Sequence, residues 1–243
     1  ILLIFSLVLT AMIVMAQKLS CCGATQCDKR ARVELITSKG RIVVELYNET
    51  PCHRDNFLKL TRQGIYDGVL WHRVIANFMI QSGDTTSRHA LPGDLLGEGD
   101  LNYTLDAEIK YPKIFHKRGA LAAARESDDV NPARKSSAAQ FYIVWGKVYD
   151  EAGLDQMQAK IDKRTNGTIR LTPEVRQYYI QYGGTPHLDG QYTVFGEVME
   201  GLDVVEKIDF VKTDSNDRPV EDVKIIRATA VSYTHLTLPT ICS

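Results

Sequence analysis

Residues 71–84 read W-H-R-V-I-A-N-F-M-I-Q-S-G-D. Within and just before this stretch, 69–75 (V-L-W-H-R-V-I) and 78–81 (F-M-I-Q) are rich in β-branched and aromatic residues and predict two short strands. Arg73 sits inside an apolar run. An arginine cannot shed its charge, so its guanidinium must reach water or a partner. Gln81 offers both a donor and an acceptor, and Phe78 and Met79 between them supply a soft apolar wall. A fixed cation beside an aromatic slot suits a ligand in which an apolar ring adjoins an amide carbonyl, and a proline-containing peptide is such a ligand. A lone arginine on a strand is more often a solvated edge residue or half of an ion pair, so the stretch has to be weighed with its surroundings.

Upstream, 32–37 (R-V-E-L-I-T) and 41–47 (R-I-V-V-E-L-Y) partly alternate apolar with polar residues, and Ser38-Lys39-Gly40 supplies a turn, which together predict a β-hairpin. A helix follows, with Thr50 as N-cap, Pro51 in the first helical position, Phe57, Leu58 and Leu60 on its apolar face, and Gly64 as its stop. Downstream, Gly83, Gly93, Gly97 and Gly99 mark a long turn-rich region. Further strands are predicted at 119–124, 140–145, 192–198 and 223–231, and a second helix at 203–209 with Asp203 as its cap. Many short strands with two framework helices predict an all-β closed architecture with the helices over its ends; a barrel would remove the sheet edges, and periodicity alone does not tell a barrel from a sandwich. Residues 147–186 break the rhythm. D-E-A-G-L-D-Q-M-Q-A-K-I-D-K-R (150–164) is helix-prone, Thr172-Pro173-Glu174 reads as a second helix start and Gly183-Gly184 as its stop, so a helical excursion is set into a loop of the β framework.

The ends differ from this middle. Residues 1–16, I-L-L-I-F-S-L-V-L-T-A-M-I-V-M-A, carry no charge and are shorter than the roughly 20 apolar residues of a spanning helix. They fit a secretory signal, truncated at its start, with Val14-Met15-Ala16 as the cleavage site. Residues 17–31 read as a flexible tether holding Cys21, Cys22 and Cys27. Cys21 is a candidate for lipid attachment, although Lys18 stands where a lipoprotein signal has an apolar residue. The expected location is therefore outside the cytoplasm, periplasmic or tethered to a membrane as a lipoprotein. The tail 232–243, S-Y-T-H-L-T-L-P-T-I-C-S, resembles a translated sequencing-adaptor read-through and is expected to be non-native. The 243 residues suffice for one large domain, here 32–231, and a net charge of -1 gives no field to draw in nucleic acid. The histidines are scattered, with no pair at metalloprotease spacing, and Ser136 and Ser137 lie in no nucleophile motif, so neither a metal nor a hydrolase is indicated.

Residues 71–84 resemble the cyclophilin signature F-H-R-I-I-x-x-F-M-x-Q-x-G-D, with Trp71 for Phe and Val74 for Ile. Other segments are similar to that family in the same order: Asn56-Phe57 in the first helix, Gly119-Ala120-Leu121 with the alanines after it, Gln140-Phe141-Tyr142-Ile143 preceded by Ala139 in place of Ser, and Leu188-Asp189-Gly190 through Val194-Phe195-Gly196. The likeness spans roughly 32–230, with the helical excursion as an insertion. It implies an eight-stranded cyclophilin-like barrel capped by two helices and a peptidyl-prolyl cis-trans isomerase that needs no cofactor. Its partners would be proline-containing peptides and unfolded protein clients, and the apolar leader would place it in a bacterial exported subgroup. Carried over by resemblance, Arg73 is the catalytic arginine, Phe78, Met79, Tyr142 and Leu188 line the proline pocket, Gln81 hydrogen-bonds the peptide backbone, and Ala124 and Arg125 belong to the strand that pairs with substrate, where the family usually has Ala-Asn. Tyr192 stands where many eukaryotic members have His. His187 stands where cyclosporin-sensitive members have Trp, which implies weak cyclosporin binding. Tyr142 in place of Phe adds a hydroxyl that needs a partner or water if buried. The competing expectation is a proline-peptide-binding chaperone or interaction module with little turnover.

Overall fold

The computed structural model describes residues 30–231. The leader, most of the tether and the tail lie outside the described residues. Strands β1 (Arg32–Thr37) and β2 (Gly40–Leu46) form the expected hairpin, and β1 alternates strictly, with Val33, Leu35 and Thr37 buried. Its turn ends at Gly40, with φ +139 and Val204 pressed so close that a Cβ would lie 2.7 Å from a methyl. Eight further strands follow: β3 (Arg73–Ile75), β4 (Met79–Ser82), β5 (Thr104–Leu105), β6 (Ala120–Ala123), β7 (Ser136–Ser137), β8 (Phe141–Val144), β9 (Val194–Glu200) and β10 (Ile225–Val231). β5 and β7 pair as a small ribbon, and the other eight form one antiparallel sheet in the order β10-β1-β2-β9-β6-β8-β4-β3.

The sheet is strongly curled, but it does not close as expected. β3 and β10 form its two edges and do not pair along their length. The gap is stitched by the residues just before β3: Gly68 N donates to Ile225 O (2.7 Å), Ile225 N to Val69 O (2.8 Å) and Trp71 N to Val223 O (2.8 Å). Residues 69–72 are all buried, so the two-sided alternation of a regular strand is missing and only an isolated bridge, Leu70 to Lys224, forms there.

The inner face of the curl holds the main core. Leu35, Ile42, Leu121 and Ile143 meet Phe57 and Leu60 of α1 (Pro51–Arg62), and Val205 and Ile208 of the last helix, Leu202–Asp209. Two caps differ from expectation. Thr50 makes no side-chain cap bond; the Glu108 carboxylate instead accepts from the N–H groups of Cys52 (3.2 Å) and His53 (2.9 Å), capping α1 from a distant loop. The last helix is entered through Gly201 (φ +85), and Asp203 sits in its first turn, paired with Lys207 at 2.9 Å. The excursion is helical as expected, with α2 (Glu151–Thr165) capped by Asp150 and α3 (Pro173–Gln181) by Thr172. In chain order the last helix is α4. The described residues therefore form a β framework of ten strands with four α-helices. α2 and α3 bury Leu154, Ile161, Val175 and Tyr179 in a satellite core of their own.

Candidate active site

Strand register builds the site. Arg73 lies opposite Gln81, Gln81 opposite Tyr142, and Tyr142 opposite Ala122, across β3, β4, β8 and β6. Directly opposed residues share a face of the sheet. The neighbouring row, Val74, Ile80, Ile143 and Leu121, belongs to the inner core, so the Arg73 row faces outward. Met79, two residues from Gln81, lies on the same outer face. A second apolar cluster grows there from Met79, Ala122, Tyr142, Val144, Leu188 and Val194, flanked by Phe78, Ala124 and Tyr192. These elements enclose one cavity of about 160 Å³. Arg73, Gln81, Ala124 and Arg125 form its polar and backbone-rich side, and Phe78, Met79, Tyr142, Leu188 and Tyr192 its aromatic and apolar side.

His187 is the one residue expected at the pocket that does not line this cavity. The turn Pro186–Leu188 sends Leu188 into it and leaves His187 packed on the Phe78 ring, centroids 5.3 Å apart. Burial, with His116 and the nearby cations, pushes the His187 imidazole down to about 4, so it is neutral at pH 7.

Arg73 is half-exposed, with Nη1 3.5 Å from Gln81 Oε1 and Nε 3.6 Å from Asp217 Oδ2. Gln81 Nε2 donates to Gln140 Oε1 (3.0 Å), whose own Nε2 donates to Gly97 O (2.7 Å) and Gly99 O (2.9 Å). The amide of Gln81 is thus oriented from behind, with its oxygen turned to Arg73. Arg125 does not reach into solvent. Its Nε donates to Gln191 O (3.0 Å), Nη2 pairs with Asp128 (2.7 Å), and the guanidinium lies 4.3 Å over the Tyr192 ring. Phe78 is placed by the turn before β4, where Asn77 takes φ +60 and its N–H donates to the buried Asp209 Oδ2 at 2.7 Å. Gln140, Asp217 and Asp209 were not expected at the site. Gln140 lies inside a matched motif and is the only one with a sequence signal, a polar amide heading an apolar strand.

The extra hydroxyl of Tyr142 has its partner. It is buried and lies 3.0 Å from His116 Nε2, while His116 Nδ1 is 3.0 Å from Asp189 Oδ1. A second hydroxyl–His–carboxylate arrangement occurs elsewhere, here with a serine: His53 Nε2 is 2.9 Å from Ser136 Oγ and Nδ1 is 2.7 Å from Glu108. Ser136 is 1% exposed and Glu108 is occupied in capping α1, so this arrangement ties a loop to a helix and presents no accessible nucleophile. Burial pushes the Glu108 carboxyl up, and the hydrogen bonds from His53 and the helix N–H groups outweigh it, holding the group below the ordinary carboxylate range. His72 packs in the core with no hydrogen-bond partner on either ring nitrogen. Among the described residues no group of three or more His, Cys, Asp or Glu could hold a metal ion, and no helix is long and apolar enough to cross a membrane.

The chain resembles known proteins over most of its length. The family model described as cyclophilin type peptidyl-prolyl cis-trans isomerase/CLD matches residues 32–164 and 169–230. The peptidyl-prolyl cis-trans isomerase ppi1 of Schizosaccharomyces pombe is 32% identical over 202 residues, covering 83% of this chain and 99% of the relative. The peptidyl-prolyl cis-trans isomerase-like 1 of Aspergillus fumigatus is 34% identical over 196 residues, 80% and 92% of the two chains. Both are fungal and lend no support to a bacterial exported subgroup. A cyclophilin-type isomerase of Cryptosporidium parvum, crystallised in the presence of the dipeptide Ala-Pro, shares the fold with a TM-score of 0.57 at 24% identity, over 83% of this chain and 99% of that one. With its signature on a strand pair beside an apolar pocket and a family match running almost from β1 to β10, the chain belongs to the cyclophilin-type peptidyl-prolyl cis-trans isomerases.

Proposed function

We propose that the cavity beside Arg73 is where this chain isomerises X-Pro bonds, and that its substrates are proline-containing segments of peptides and unfolded proteins. The observation that carries this is Arg73 held at the rim of an apolar cavity by Gln81 and Asp217. Amide resonance sets a rotation barrier of about 18–20 kcal/mol, and uncatalysed X-Pro isomerisation takes about 10–100 s. Turnover near 10 per second needs roughly 3–4 kcal/mol of transition-state stabilisation. One well-placed charged donor supplies that order of energy. Phe78, Met79, Tyr142 and Leu188 anchor the proline ring, Gln81 bonds the peptide backbone, and Arg73 donates to the proline carbonyl as the preceding carbonyl rotates and the ring nitrogen pyramidalises. No nucleophile, proton transfer or cofactor takes part. The Ala-Pro dipeptide used with the Cryptosporidium relative is the minimal ligand of this kind.

The test is a protease-coupled assay on an X-Pro peptide. Arg73→Ala is expected to lower kcat/KM by roughly 10²–10³-fold while the circular dichroism spectrum is kept, because the side chain is half-exposed and packs in no core. Full activity in that variant overturns the assignment. A wild-type chain that binds the peptide without turnover favours the chaperone reading instead. With His187 in place of an indole donor, cyclosporin is expected to bind weakly, and inhibition at low nanomolar drug contradicts that. The uncharged leader at 1–16 supports export of the chain. Recovery of the expressed full chain in the cytoplasmic fraction with residues 1–16 intact sinks that proposal.

A further inference from the structure

Asp189 is fully buried, and both its oxygens are taken. Oδ1 accepts from the backbone N–H of His116 (2.8 Å) and lies 3.0 Å from His116 Nδ1, while Oδ2 accepts from the hydroxyl of Tyr179 (2.7 Å). A carboxylate only accepts, so the proton between the two is carried on His116 Nδ1, and in that tautomer Nε2 is the ring's acceptor. In that tautomer the Tyr142 hydroxyl, 3.0 Å from Nε2, is the donor there. The result is a directed chain in which Tyr142 gives to His116, His116 gives to Asp189, and Tyr179 gives to Asp189 from the other side. All four residues are at most 4% exposed, and every polar side-chain atom named has a partner. A fully satisfied buried network of this kind rigidifies its members.

Its two ends are in different parts of the molecule. Tyr142 is on β8 and faces the proline cavity, whereas Tyr179 is on α3, inside the helical insertion. The backbone follows the same route. Thr185 N donates to His116 O (2.9 Å), and Gly184 and Lys147 exchange N–H···O bonds, so the exit of the insertion lies directly against the residue that holds Tyr142. The rings repeat the arrangement: His116 is nearly parallel to Tyr142 (12° between planes, centroids 6.1 Å), and Tyr192 stands edge-on to both.

We propose that the helical insertion supports the proline pocket, with Tyr179, Asp189 and His116 as positioning residues that hold the Tyr142 ring in the cavity wall. This rests on the reading of the Arg73 cavity as the isomerisation site. The wall meets the proline ring in the cis, trans and twisted states alike, so loosening it removes binding equally from ground and transition states. The expected signature is a raised KM with kcat kept. A change confined to folding stability would leave KM of the folded enzyme where it was.

The experiment measures kcat and KM on an X-Pro peptide for the full chain and for Tyr179→Phe, His116→Gln, Tyr142→Phe and the His116→Gln/Tyr142→Phe double variant, each with its circular dichroism spectrum. Tyr179→Phe removes one hydroxyl from α3 and leaves the His116–Asp189 contact in place. It and His116→Gln are expected to raise KM by about three- to tenfold, the factor set by one net hydrogen bond, with kcat within about twofold. Tyr142→Phe lacks the donor and should already show the raised KM. Adding His116→Gln to it should change KM by less than about twofold, as required of residues acting through one contact. Unchanged KM in folded Tyr179→Phe and His116→Gln overturns the proposal, as does a His116→Gln effect equally large in the Tyr142→Phe background. If His116→Gln does not fold, Tyr179→Phe with and without Tyr142→Phe decides in the same way. Arg73→Ala run alongside separates the two levels. Full activity there overturns the pocket reading and this inference with it, whereas lost activity there beside unchanged KM in the other variants overturns this inference alone.

Discussion

At the residue scale, Arg73 owes its place to chemistry visible in the sequence and its geometry to chemistry that is not. A permanent cation within an apolar run signals a site, and its strand neighbours Gln81 and Met79 follow from the two-residue period of a strand. What holds it does not follow from local pattern. Asp217 comes from the loop before β10, and Gln140 reaches Gly97 and Gly99 across another loop. Such contacts are made only once the sheet has curled, and nothing in the spacing of those residues announces them. The fork geometry of a guanidinium lets Arg73 meet Gln81 and Asp217 through different nitrogens while a further N–H stays available for a carbonyl. A lysine offers a single point charge. Arg73→Lys is therefore expected to lose at least about tenfold in kcat/KM, with the fold unaffected. Activity equal to wild type in the same coupled assay would show that charge alone suffices.

At the scale of elements, hairpin, helices and most strands follow from periodicity, while their boundaries follow from whatever supplies the last hydrogen bond. Thr50 reads as a cap, yet Glu108 does the capping, because a carboxylate brought in by another loop offers two acceptors to two free N–H groups. Residues 69–72 read as the start of a strand, yet all four are buried and the sheet stays open there. The insertion is clear as helix from its composition, but its link to the pocket is invisible, since Tyr179 looks like any apolar-face residue of α3. The link passes a backbone constriction. Gly184 has φ +148, and an added Cβ would lie 2.6 Å from a Tyr179 ring carbon and closer still to His116 O. Gly184→Ala must push Tyr179 or His116 aside. It is expected to destabilise the protein by about 1–3 kcal/mol, read as a lower urea midpoint. An unchanged midpoint would mean that the junction gives way freely.

At the scale of the whole molecule, buried ionisable groups set how stability depends on pH. Burial pushes both His72 and His187 down to about 4 from an ordinary 6.5. Between those values the unfolded chain binds protons that the folded chain refuses, so the stability these residues contribute is complete above pH 6.5 and is lost as pH falls toward 4. His72 is fully buried without a hydrogen-bond partner and contributes on the order of 2 kcal/mol; His187 is partly exposed and contributes less. Asp209 acts in the opposite sense. Burial lifts its carboxyl from 3.8 to about 6 against the pull of the Asn77 N–H, so the folded state binds the extra proton between pH 6 and 4 and gains stability on acidification. Two histidines displaced this far outweigh one aspartate, and Glu108 and Asp84, both held below their ordinary values, add to the loss at lower pH. The urea midpoint is therefore expected to fall between pH 7.5 and 4.5. Asp209→Asn separates the opposing contributions, because the amide oxygen still accepts from Asn77 without carrying charge. That variant should be more stable than wild type at pH 7.5, and its advantage should shrink toward pH 4.5, where Asp209 is itself protonated. Urea titrations of both proteins at the two pH values check this, and an advantage equal at both would remove Asp209 ionisation from the account.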